Sequence, residues 1–182
     1  WLTLPKGTTT DRNRTGGRAV YAGGYGDPAF SNTIEYVNIT STGNGKDFGD
    51  LTIAALSMAP TSSSTRGVWM GKETGVSPNV AATMDYVTIA SEGNAVDFGD
   101  LTTETRTAGG VSSSTRGIIG GGATPGIINT IEFITLATLG NASNFGILTD
   151  ARRDVAGTQS TTRGLFAGGL APGISDIIDF VT

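Results

Sequence analysis

Apolar positions along this chain never hold a helical period for long enough to build a helix. They fall instead into short clusters, β-branched or aromatic, bounded by Gly, Pro, Asn and Ser. One cluster, Arg66-Gly67-Val68-Trp69-Met70-Gly71, returns as Arg116-Gly117-Ile118-Ile119-Gly120-Gly121 and as Arg163-Gly164-Leu165-Phe166-Ala167-Gly168. A weaker copy is Arg18-Ala19-Val20-Tyr21-Ala22-Gly23, so the spacings are 48, 50 and 47 residues. A second phrase follows each: Thr33-Ile34-Glu35-Tyr36-Val37, Thr83-Met84-Asp85-Tyr86-Val87, Thr130-Ile131-Glu132-Phe133-Ile134 and Ile177-Ile178-Asp179-Phe180-Val181. A third phrase, STGNGKDFGDLT from Ser41, returns as SEGNAVDFGDLT from Ser91 and as TLGNASNFGILT from Thr138.

A fixed period of this size marks a repeat architecture. The units run over about 4–52, 53–102, 103–149 and 150–182, the last incomplete, within a single repeat domain spanning 1–182. Each unit predicts four short strands. Strand a is the faintest, near Arg106 to Ser112 in the third unit. Strand b is the Arg-Gly-apolar phrase. A loop holding Pro28, Pro78, Pro125 or Pro172 leads to strand c, the apolar-acidic-aromatic phrase. Strand d lies near Asp97 to Thr102. Strand c is apolar on both faces: Ile34 and Tyr36 point one way, Val37 and Ile39 the other, and later units repeat this. A sheet with one wet face would alternate apolar and polar. A sheet wedged between two neighbours must be apolar on both, as in a propeller blade. The fold class expected is therefore all-β, a propeller of four-stranded antiparallel blades. A β-helix fits less well, because its rungs are shorter.

Composition narrows the chemistry. The 182 residues contain no Cys and no His, which removes disulfides, thiolate chemistry and imidazole catalysis. A formal charge of −4 provides no basic stripe for nucleic acid. No apolar run approaches the roughly 20 residues of a membrane-spanning helix, so membrane insertion is not expected. No cofactor is expected either. The chain opens on Trp1 and stops part-way through a unit, and is expected to be a piece of something longer.

With these residues in place the chain resembles the kelch repeat, the blade of kelch propellers. Gly23-Gly24, Gly121-Gly122 and Gly168-Gly169 match its double glycine, while Gly71-Lys72 departs from it. Tyr36, Tyr86, Phe133 and Phe180 match the aromatic of its third strand, and Phe48, Phe98 and Phe145 stand where kelch blades usually carry Trp. The wording TRG, GG, DYVTIAS and GNAxDFGDLT is also similar to repeat proteins of marine bacteriophages and cyanophages, of virion structural or tail-fibre type. That likeness implies a virion surface component. Three closures are open: four blades completed by Trp1-Leu2-Thr3 as an outer strand, part of a longer array of about six to eight blades, or a subunit that closes with a partner.

Four groups of residues are candidates for a role. The GNxxDFGD phrase places Asp47 and Asp50, then Asp97 and Asp100, at spacings a calcium loop could use. The third copy has Asn144 and Ile147 instead, so a structural turn followed by a buried aromatic is favoured over a metal. Arg18, Arg66, Arg116 and Arg163 recur with Glu35, Asp85, Glu132 and Asp179, and are expected to form one ion pair per unit. The b–c loops break the repeat, and Tyr25, Asp27, Phe30, Lys72 and Glu73 are the candidate binding residues there. No acidic pair stands outside the repeat to suggest glycoside hydrolysis.

The expected function is a non-enzymatic virion structural or receptor-binding module, on a virion surface or extracellular. Its partners would be other copies or other virion proteins, and a host surface glycan or protein. The alternatives are a secreted kelch-like carbohydrate-active domain with its active residues elsewhere, and an architectural spacer.

Overall fold

The computed structural model of the protein describes residues 17–26, 29–77 and 79–182. Among the described residues every regular element is a strand. The second unit forms a complete antiparallel meander of β6 (Ala59–Ser62), β7 (Arg66–Met70), β10 (Thr83–Thr88) and β11 (Val96–Asp100), each paired to the next. The third repeats it with β12 (Gly109–Ser112), β13 (Arg116–Gly120), β16 (Thr130–Thr135) and β17 (Ser143–Ile147). The first shows β1 (Arg18–Ala22), β4 (Thr33–Asn38) and β5 (Lys46–Asp50), and the place of its expected strand a lies outside the described residues. The fourth has β18 (Ala156–Gln159), β19 (Gly164–Ala167) and β22 (Ile178–Val181), with no fourth strand. Between strands b and c each unit inserts a small hairpin: β2 (Tyr25–Gly26) with β3 (Ala29–Phe30), β8 (Lys72–Glu73) with β9 (Val80–Ala81), β14 (Ala123–Thr124) with β15 (Gly126–Ile127), and β20 (Leu170–Ala171) with β21 (Gly173–Ile174).

The sheets pack face to face in chain order. Strand parity decides what each face carries. In the second sheet Trp69 and Val87 point back to the first, joining Ile34, Tyr36, Phe48 and Leu51 in one core. Val68, Met70, Met84 and Phe98 point forward, into a core shared with Ile119, Ile134 and Leu136 of the third sheet. Ile118, Ile131 and Leu148 then meet Phe166 and Val181 of the fourth. Each of these large side chains contributes about 1.5–3 kcal/mol by leaving water. This is why strand c is apolar on both faces. The cores join consecutive sheets only. Tyr21 on the outer face of the first sheet is 61% exposed, although its counterpart Trp69 is 5% exposed. On the far face of the fourth, Ile178 and Phe180 are 65% and 60% exposed. The described residues therefore do not close into a ring. Trp1-Leu2-Thr3, Asp27, Pro28 and Pro78 lie outside the described residues.

One backbone feature recurs at the entry to strand a. Ser57, Thr107 and Asp154 hold positive φ of 57°, 56° and 56°. They stack across the sheets, Thr107 N–H donating to Ser57 C=O at 3.0 Å and Asp154 N–H to Thr107 C=O at 2.7 Å. A β-branched residue in this left-handed region is strained, and the buried Thr107 hydroxyl finds no partner. Replacing Thr107 by Gly removes both penalties, at some cost in unfolded-chain entropy. We expect Thr107→Gly to stabilise the protein by about 1 kcal/mol, seen as a higher urea midpoint at unchanged slope.

Candidate functional site

The repeated phrases converge on the joints between sheets. The carboxylate of each strand c faces back, towards the end of the preceding unit. Asp85 accepts from the Thr52 amide at 3.2 Å and its hydroxyl at 2.6 Å. Glu132 accepts from the Thr102 amide and hydroxyl, both at 2.8 Å, and from the Thr103 amide at 3.1 Å. Asp179 accepts from the Thr149 amide and hydroxyl at 3.3 and 2.8 Å. The Thr of each DFGDLT or FGILT phrase thus latches onto the next sheet. Two latches also hold a buried cation. Lys72 Nζ sits 2.9 Å from Asp85, both groups out of solvent, and Arg152, fully buried, pairs with Asp179 and donates to the carbonyls of Gly168 and Ile177. Glu35, in the first sheet, is exposed.

The expected ion pairs between Arg18, Arg66, Arg116 and Arg163 and Glu35, Asp85, Glu132 and Asp179 do not form. The register gives the reason. Arg66 stands opposite Thr88 and Arg116 opposite Thr135, each three positions from its unit's carboxylate. An odd offset on a strand places two side chains on opposite faces. Each Arg instead lies over the aromatic of strand c, which shares its face. Arg18, Arg66, Arg116 and Arg163 stand 4.5, 5.1, 4.9 and 5.0 Å from the rings of Tyr36, Tyr86, Phe133 and Phe180. Two of them reach on to the next sheet, Arg18 donating to Ile89 C=O at 3.0 Å and Arg66 to Leu136 C=O at 2.8 Å. Tyr36 also donates to Glu92 of the second unit at 2.7 Å, and that bond to a carboxylate raises its phenol above the ordinary tyrosine value.

The GN phrase is the third joint. Gly93 and Ala95 donate their amides to the carbonyls of Phe48 and Asp50, each at 2.8 Å. Asn94 Oδ1 accepts from the Asp50 amide at 3.1 Å. One unit on, Gly140 and Ala142 donate to Phe98 and Asp100 at 2.9 and 2.8 Å, and Asn141 accepts from the Asp100 amide at 3.0 Å. The turn of one unit clasps strand d of the unit before. Gly99, at φ +138°, makes the approach feasible: a Cβ there would fall 2.5 Å from Gly140 O. The same phrase buries Phe48 against Tyr36 and Phe98 against Tyr86, edge to face at 5.9 and 5.8 Å. A β-bulge separates Asp47 from Asp50 and Asp97 from Asp100, so that Asp47 stands opposite Glu35 and Asp50 opposite Thr33, and Asp97 opposite Asp85 and Asp100 opposite Thr83. Among the described residues no three carboxylates gather where a metal would sit.

The small hairpins form a row. The second, third and fourth are bonded to the segment leading into strand a of their own unit, through reciprocal amide–carbonyl pairs of Leu56 with Glu73, Arg106 with Ala123 and Arg153 with Leu170. Of the candidate loop residues, Tyr25 stands exposed, its ring edge to face with Phe30 at 6.0 Å. Phe30 is half-buried against Gly75 of the next hairpin. Lys72 is not a surface residue at all. It takes the place of a double-glycine Gly, folds inward and neutralises Asp85. Glu73 pairs with Arg106 of the next unit and accepts from Asn79. Asp27 lies outside the described residues. Val76 and Ile174 are exposed apolar tips in the same row. The sequence signalled these two only weakly, as apolar residues in glycine-rich loops. No protein-family model matches the chain, and no curated protein matches it either.

Removing the Lys72 ammonium leaves Asp85 charged and buried with only Thr52 for a partner. Lys72→Met is expected to cost about 3–5 kcal/mol in urea unfolding, and Lys72→Met combined with Asp85→Asn less than the single change. At the clasp, Asn141→Ala is expected to cost about 1 kcal/mol and Gly99→Ala about 3 kcal/mol. Gly146→Ala is expected to cost less than Gly99→Ala, because a Cβ at Gly146 meets nothing within 4 Å.

Proposed function

We propose that the chain is a non-enzymatic structural and receptor-binding module of the virion-surface type, which presents variable loops on a rigid repeat array. The carrying observation is the row of hairpins. Many of the phrases repeated within the chain serve joints between sheets. The hairpins differ between units in sequence and length, and their exposed tips carry Tyr25, Val76 and Ile174. Exposed aromatic and aliphatic groups on a stiff support are suited to stacking on a sugar face or packing on a protein. A shallow depression beside the first hairpin, lined by Tyr21, Tyr25, Ser31, Thr33 and Glu35, combines rings with hydroxyls and a carboxylate, the mixture a glycan requires. In the fuller form of this reading the sheets are blades of a kelch-like propeller completed by further blades. The b–c hairpins of such a propeller share one face, which supports multivalent contact with a host surface.

The test is binding of the purified chain to an array of surface glycans and to host cells. Tyr25→Ala is expected to lower affinity about tenfold, the loss of one stacked ring, with the urea midpoint unchanged. Retained affinity in Tyr25→Ala, Val76→Ser and Ile174→Ser together would show that the hairpin row is not the contact surface.

A further inference from the structure

The joints described above divide each interface into a donor and an acceptor. The donor is a segment that turns through Gly-Asn and continues as Asp-Phe-Gly. The acceptor is strand d of the preceding unit together with the free edge of strand c in the donor's own unit. Two such acceptors are filled within the chain, by residues 93–100 and 140–147. A third lies open. We infer that the edge of β22 and the outer side of β17 form one acceptor groove for a further polypeptide segment of the type Gly-Asn-x-x-Asp-Phe-Gly-Asp, which docks there by strand addition. This inference concerns the end of the array and stands independently of what the hairpins bind.

Three observations fix the occupant's chemistry. First, β17 has the clasped strand's backbone without its clasp. The carbonyls of Phe145 and Ile147 and the amide of Ile147 correspond to the groups of Phe98 and Asp100 that Gly140, Asn141 and Ala142 satisfy. A Cβ on Gly99 would strike Gly140 and one on Gly49 would strike Gly93, but Gly146, at φ +157°, has nothing within 4 Å. Among the described residues nothing takes, at the third joint, the space that a Gly-Asn turn takes in the other two. Second, among the described residues β22 is the edge of a three-stranded sheet, whereas its counterparts β10 and β16 each pair with a strand d. An unpaired edge is a template for another strand. Third, the exposed side chains match what is missing. Phe180 corresponds to Tyr36, Tyr86 and Phe133, each of which meets a strand-d Phe edge to face at 5.8–6.1 Å. Ile178 corresponds to Met84, which is 0% exposed.

The filled joints also set the register. Met84 faces Gly99, Asp85 faces Asp97 and Tyr86 faces Val96, with a bulge after Met84. The incoming Gly is therefore expected opposite Ile178, the incoming Asp opposite Asp179, and the residue before that Asp opposite Phe180.

The probe is a capped, fluorescein-labelled peptide copying residues 91–102, SEGNAVDFGDLT, titrated with the purified chain and followed by polarisation. Saturable binding is expected. Affinity should fall at least tenfold for peptides carrying the changes Asn94→Ala or Phe98→Ala, and for the chain variants Phe180→Ala and Gly146→Ala. Phe180 is exposed, so its variant keeps the fold and tests the groove alone; far-ultraviolet dichroism checks this for both. Because the chain has no Cys, Phe180→Cys offers a further readout. It should form a disulfide with a peptide carrying Cys for Val96, and form it more slowly with one carrying Cys for Ala95. Binding no tighter than that of a scrambled peptide, equal binding to Phe180→Ala and Gly146→Ala, or cross-linking without preference for register would each overturn the proposal.

Discussion

The fold depends on one demand, a carboxylate facing the joint on strand c of the second, third and fourth units. Asp85 and Glu132 are enclosed between sheets, where an unpaired charge is costly. The donors cannot come from the same sheet, because the strand's parity turns the local Arg to the other face. They come from the preceding unit, from a Thr amide and hydroxyl that follow strand d. This geometry fixes how far one sheet slides along the next. The unit length follows from it, since each unit must bring its Thr back to the same height as the next carboxylate. The cation that completes the latch is supplied differently each time, from a hairpin root by Lys72 and from a linker by Arg152. Glu132 is satisfied by three hydrogen-bond donors instead.

Stability in such an arrangement is shared between neighbours. A sheet with two apolar faces has no stable solitary form, and each core here belongs to two consecutive sheets. The behaviour approaches that of a one-dimensional array, in which each joint contributes and the ends are least secured. Rigidity at the joints leaves the hairpins free to vary. Their tips take part in none of the three cores, and their roots are held by a few backbone bonds to the segments leading into strand a. A loop on such a mount can change sequence with little effect on the latches beneath it, apart from Lys72, where a hairpin root has been drawn into the joint.

Much of this was legible in the residues. The period, the four strands per unit and the two apolar faces of strand c follow from spacing and alternation, and the sheets are built accordingly. The antiparallel all-β class followed from the same pattern. The partners of the charged residues did not. Arg66 and Asp85 recur together, and recurrence suggested a pair. Their separation in the final register is odd, and only the strand pairing reveals it. Lys72 looked like a loop residue because it breaks a Gly-Gly phrase. Its burial depends on a carboxylate thirteen positions away whose other side is closed by the previous unit. The Gly-Asn phrase was recognisable as a turn between strands c and d leading to a buried Phe. Its second use, clasping the strand before it, involves residues about 44 positions apart, and no local signal encodes that reach.

The same comparison explains why this phrase tolerates erosion unevenly. In the third unit Asp97 and Asp100 become Asn144 and Ile147, yet Gly140, Asn141, Phe145 and Gly146 persist. Of the lost groups, both carboxylates, Asp97 accepts from the amide of Gly99 in its own strand, and neither side chain bonds to a neighbouring sheet among the described residues. The retained ones are those the clasp needs: a turn that presents two amides, an amide oxygen that accepts a third, a ring for the strand-c aromatic, and a glycine that lets the next turn approach. Gly140, Asn141 and Phe145 are already engaged with neighbours. Gly146 is not engaged among the described residues, although its φ of +157°, like those of Gly49 and Gly99, already favours glycine. At Gly49 and Gly99 the missing Cβ serves a second purpose, the close approach of another backbone, and the outer side of β17 offers the same room.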